Sequence, residues 1–104
     1  MTVQDPFPQE LLQRRGALVA DLSMLNARLH KLIQALSATE MDMFRLELEI
    51  SRNPTDDELA RELQEVEDRA AALRSSQADC LDETETVEAE VEAIDRLIAA
   101  ARGG

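Results

Sequence analysis

The side chains able to do chemistry in this 104-residue sequence are few in kind: one thiol, Cys80, one imidazole, His30, and 22 carboxylates against 11 basic residues. Two groups of carboxylates stand out by position. Asp56 and Asp57 lie in "SRNPTDDELAR", residues 51 to 61, which holds the only proline outside the first eight residues. The second group is Asp79, Asp82, Glu83, Glu85, Glu88, Glu90, Glu92 and Asp95, a stretch between Arg74 and Arg96 that contains no base. Such a run suits the charge spine of a nucleic-acid mimic or the landing surface of a basic partner, although its ordinary role is a solvated helix face.

These groups do not assemble into a recognisable active centre. His30 has no second nitrogen or sulfur ligand at metal-binding spacing, and three glycines form no phosphate-cradling loop. The carboxylates are too abundant for any pair to be singled out as acid and base. The expectation is a protein that is not an enzyme, with no catalytic residue, no cofactor and no metal. Cys80 has no partner for an intrachain disulfide, and its place on an apolar ladder makes it a core residue.

The elements that must carry these residues are legible in the spacing of the apolar side chains. Alternating steps of four and three from Leu11 give Leu11, Arg15, Leu18, Leu22, Leu25, Leu29, Leu32, Leu36, Thr39, Met43, Leu46 and Ile50, of which ten of twelve are apolar. After the turn the same steps give Leu59, Leu63, Val66, Ala70, Leu73, Gln77, Cys80, Thr84, Val87, Val91, Ile94, Ile98 and Ala101. A period of about 3.5 residues sustained this long is a coiled-coil seam. Pro54 pushes Asn53 out of the helical region, and "TDDE" places Thr55 and Glu58 at capping-box spacing. The helix dipole then favours Asp56 and Asp57 in the first turn.

The predicted fold is therefore all-α: a long antiparallel helical hairpin, completing a four-helix bundle on dimerisation or partner binding. Its parts are an extended lead over 1–8, where "DPFP" stiffens the chain, helix 1 over about 9–52, a turn at 53–55, helix 2 over about 56–102 and a tail at 103–104. Folding the ladders together brings Leu18 to Val91, Leu36 to Leu73 and Ile50 to Leu59. In that register Asp42 lies near Arg69 and Arg28 near Glu83, but Glu40 lies near Glu67 and Asp21 near Glu90. One segment offers an alternative: "SATE", Ser37 to Glu40, is itself a capping-box pattern that would start a separate short helix.

Partner contacts are expected where apolar residues exceed what two helices need. Leu12, Val19, Ile33 and Leu81 fall beside the seam on one side and widen its apolar face. Met41, Phe44 and Leu48 recur at helical spacing on the face opposite the seam, flanked by Arg45 and Arg52, as a docking patch for a helical partner would. The net charge of -11 speaks against direct binding to nucleic acid or an anionic membrane, both of which require basic surface. The acid excess is concentrated in residues 53–104, with 15 acids and 5 bases against 7 and 6 in residues 1–52. A protein partner fits best, with this chain as a homodimer or part of a hetero-complex. The start "MTVQDPFPQE" has neither the basic nor the apolar segment of a signal peptide, so a cytoplasmic location is expected.

In size, acidity and helical-hairpin pattern the whole chain resembles the small acidic chaperones and coiled-coil export adaptors of bacterial type III secretion systems. That resemblance implies a protein that shields an aggregation-prone coiled-coil subunit by donating helices to it. The turn "NPTDDELA" is also similar to the acidic tips of the Gre and DksA families of transcription factors, which reach into RNA polymerase on a coiled-coil finger. There Asp56 and Asp57 would be the tip carboxylates, while the zinc cysteines of the DksA type are absent. A structural subunit of a larger complex is a further reading of the same pattern.

Overall fold

The computed structural model describes residues 7–103, Phe7 by its backbone alone, and contains two helices, α1 (Phe7–Arg52) and α2 (Asp57–Gly103), folded as an antiparallel hairpin. Leu, Ala, Glu and Arg, all strong helix formers, dominate both helices, and Gly16 is the only glycine inside α1. The lead expected over 1–8 is shorter, because Phe7 and Pro8 already belong to α1. A proline in the first turn removes an N–H that has no intrahelical acceptor, so Pro8 is compatible with that start. Residues 1–6 of the lead and Gly104 of the tail lie outside the described residues, and Gly103 belongs to α2.

The expected seam is the buried seam. Leu11, Leu18, Leu25, Thr39, Leu46, Val66, Ala70, Cys80 and Ile94 are the nine buried residues among those described, and each is a ladder position. The other ladder positions are half-buried except Ala101, which is exposed. α1 runs through Ser37 without a break, so "SATE" starts no new helix. Thr39 shows how: its hydroxyl donates to the carbonyl of Ala35 at 2.8 Å, satisfying the one buried polar side chain within the helix itself.

Contacts divide the hairpin into two compact units, each pairing a segment of α1 with an antiparallel segment of α2. One unit joins the chain up to Ala27 with the chain from Leu81 onward; the other is Arg28–Cys80. In the first, Leu11, Leu18 and Ile94 form the core, with Val87, Val91 and Ile98 packed against it. Arg15 interrupts this seam, and its guanidinium reaches outward to Asp95, with Nε–Oδ1 at 2.6 Å and Nη2–Oδ2 at 3.5 Å. That hydrogen bond and the carboxylate's charge hold the Arg15 pKa above its ordinary value, so this ladder position stays cationic.

The second unit contains the turn. Asn53 closes α1, its backbone N–H donating to the carbonyls of Glu49 at 3.0 Å and Ile50 at 3.1 Å. The Asp56 N–H then donates to the Asn53 carbonyl at 3.1 Å, a β-turn with Pro54 at its second position. That turn needs four residues, 53–56, one more than the sequence spacing suggested. It moves the cap as well. The residue that caps α2 is Asp56, not Thr55: its Oδ1 accepts from the backbone N–H of Glu58 at 2.9 Å and of Leu59 at 3.3 Å.

Candidate functional site

The turn's acidic residues divide between two roles. Asp56 is held by the cap, whereas Asp57, the first residue of α2, is exposed and makes no ion pair or hydrogen bond among the described residues. Only Asp57 of the expected tip pair therefore presents a free carboxylate. His30 is exposed, Cys80 is fully buried, and no group of three or more His, Cys, Asp or Glu side chains among the described residues is arranged to hold a metal.

Each of the seven apolar residues expected to meet a partner is exposed. In the Arg28–Cys80 unit, Met41, Phe44 and Leu48 are 70%, 61% and 46% exposed. Their spacing of three and then four residues stacks them along one stripe of α1. Arg45, beside the stripe, is tied to Asp42 at 3.4 Å, in place of the expected Asp42–Arg69 approach. Ile33 is exposed on the same unit, and Leu12, Val19 and Leu81 on the other. Two exposed apolar residues escaped the sequence reading: Met24 and Leu97. Both immediately precede a seam residue, Leu25 and Ile98, whereas Leu12, Val19 and Leu81 immediately follow one. A scan for large apolar residues on both sides of the ladder would have found them.

The acidic run is used unevenly. Glu90 pairs with Arg14 at 3.8 Å, in place of the like charge of Asp21 that the simple register implied, and Asp95 pairs with Arg15. Likewise Glu40 pairs with Arg74 at 3.4 Å, not with the region of Glu67. Arg14–Glu90 and Arg74–Glu40 are offset by more than a turn from the register that pairs Leu18 with Val91, a reach that arginine side chains make by leaning along the helix, whereas Arg15–Asp95 falls within it. Glu85, Glu88 and Glu92 have no such partner and rim an open groove of about 500 Å³ whose other lining residues are Leu22, Ala89 and Val91. A smaller groove of about 230 Å³ is lined by Asp21, Met24, Leu25, Glu83 and Val87. Both lie within the unit formed by the chain up to Ala27 and from Leu81 onward.

Comparison with protein-family models, curated proteins and solved structures returns no match to this chain. The site must be read from its own chemistry: apolar side chains presented to solvent on rigid helices, beside carboxylates with no internal counter-charge. No helix among the described residues is long and apolar enough to cross a membrane, so these apolar faces are not those of a spanning segment.

Proposed function

We propose that this chain is a non-enzymatic interaction module, a helical hairpin that serves as an adaptor or small acidic chaperone by packing against a helical protein partner. The observation that carries the reading is the stripe of Met41, Phe44 and Leu48. Three large apolar side chains contribute nothing to the seam, yet are aligned along one face of a helix. Helix-in-groove recognition uses side chains at this spacing as anchors. Leu12, Val19, Ile33 and Leu81 extend the apolar surface, and helices laid on them would complete a bundle around the two-helix seam. The excess of acid, -11 in net charge, selects a neutral or basic partner over another acidic one.

The test is capture from an extract of the source organism with wild type and with a Met41→Ala, Phe44→Ala, Leu48→Ala variant as baits, the retained proteins being identified by mass spectrometry. A partner held by wild type and lost by the variant supports the reading and assigns the stripe. A bait that holds no protein and sediments as a monomer overturns it. Stoichiometry separates the two forms of the reading: a structural subunit keeps its partner in fixed ratio, whereas a chaperone gives up its client when the client assembles.

A further inference from the structure

We infer that the 500 Å³ groove between Leu22 on α1 and Glu85, Glu88 and Glu92 on α2 is the seat of a single amphipathic helix carrying Lys or Arg along one edge. This rests on the interaction-module reading above and names the chemistry of the partner. Leu22 and Val91 are seam residues that α1 and α2 leave half-buried, so the groove floor is apolar and incompletely covered. On α2 the groove is bordered by a row of carboxylates, Glu85, Glu88 and Glu92. Leu12 and Val19, outside the groove, each follow a buried seam leucine on α1 as Glu88 follows Val87 on α2, so they stand exposed on the same flank of the seam and continue its apolar surface.

Charge decides the occupant. Glu85, Glu88 and Glu92 are spaced three and four residues apart on one helix, where like charges repel, and none has a basic partner among the described residues. A cationic edge laid along them relieves that repulsion. The same unit of a second copy cannot supply it well. Between Leu81 and Gly103 the chain has seven acids and two bases, and the α1 arginines of this unit, Arg14 and Arg15, already bind Glu90 and Asp95. Self-docking would place carboxylates against carboxylates. A helix with apolar residues at seam spacing and basic residues on one edge satisfies the apolar floor and the acidic wall together.

The test uses the full chain and two fluorescein-labelled helical peptides of three heptads, identical in their leucine and isoleucine seam but edged with Lys in one and Glu in the other. Anisotropy should show the Lys-edged peptide binding wild type, with salt weakening the complex, and the Glu-edged peptide failing to bind. A Glu85→Gln, Glu88→Gln, Glu92→Gln variant should keep its helicity and bind the Lys-edged peptide about tenfold more weakly, the scale expected for three exposed ion pairs. A Glu85→Lys, Glu88→Lys, Glu92→Lys variant should reverse the preference to the Glu-edged peptide. Equal binding of both peptides to wild type, undiminished binding to the Gln variant, or no binding of the Lys-edged peptide overturns the inference. In the last case, a wild-type bait that still captures its partner through the Met41 stripe leaves the interaction-module reading standing, and a bait that captures nothing removes both.

Discussion

Replacing Asp56 separates a structural from a functional reading of the acidic turn. Its Oδ1 accepts from two backbone N–H groups, at 2.9 and 3.3 Å, that the start of α2 would otherwise leave to water. Asp56→Ala removes that acceptor and the negative charge at the helix N-terminus, a loss of about 1–1.5 kcal/mol. Asp56→Asn keeps an oxygen in the same place and loses only the charge, about 0.3–0.5 kcal/mol. Asp57→Ala gives up a dipole interaction of similar size but gains about as much from alanine's helix propensity, so its net effect is near zero. For a chain of this size the Asp56→Ala loss corresponds to a fall in Tm of roughly 4–12 °C. Melting followed by far-UV circular dichroism at one fixed protein concentration reads the series, since association would otherwise shift Tm. The order expected is wild type and Asp57→Ala highest, Asp56→Asn next and Asp56→Ala lowest. Were Asp57→Ala the least stable, or Asp56→Ala indistinguishable from wild type, the capping assignment would be refuted. An Asp56→Asn, Asp57→Asn protein that keeps its melting temperature to within the charge effect but loses its partner would instead assign the tip a binding role.

Other substitutions test the packing on which the binding faces depend. Gly16 lies within α1 with nothing within 4 Å of the position a Cβ would take, so Gly16→Ala should raise stability by about 0.5–1 kcal/mol in the same melts. Leu18→Ala, at 9% exposure in the core with Leu11 and Ile94, should cost about 2–3 kcal/mol, whereas Leu12→Ala, at 51%, should cost less than about 1 kcal/mol. Equal losses at the two positions would show that Leu12 is covered in solution by something other than this chain. The Cys80 thiol, fully buried, should react with a thiol reagent at least about a hundredfold more slowly in the native chain than in denaturant; a rate near the denatured one would mean that the seam opens readily there.

The seam was readable from the amino-acid order because a helix offers only one face to a single partner, and a 3.5-residue period leaves no freedom as to which residues occupy it. Thr39 shows why even a polar residue did not break the pattern: its hydroxyl is satisfied four residues back, so continuity of the ladder outweighed the capping motif around it. The cap was harder, since "TDDE" contains two side chains able to serve. The choice fell to the β-turn, which takes Asn53, Pro54, Thr55 and Asp56 together and leaves Asp56 at the helix entrance. Ion pairs were the least legible feature. Glu40 with Arg74 and Glu90 with Arg14 depend on how far long side chains lean along the surface, which no residue spacing specifies. Met24 and Leu97 were missed for a different reason: they border the seam on the side opposite the widened face, where attention to one flank could not find them.

The exposed apolar residues are shared between the two units, with Ile33, Met41, Phe44 and Leu48 in one and Leu12, Val19, Met24, Leu81 and Leu97 in the other. The Met41 stripe lies in the Arg28–Cys80 unit and the acid-rimmed groove in the other. On the reading proposed above, one helical partner on each would cover the apolar surface that the seam leaves behind. The two faces differ in how they would hold it: the stripe through apolar contact that salt leaves unweakened, the groove through carboxylates that salt screens.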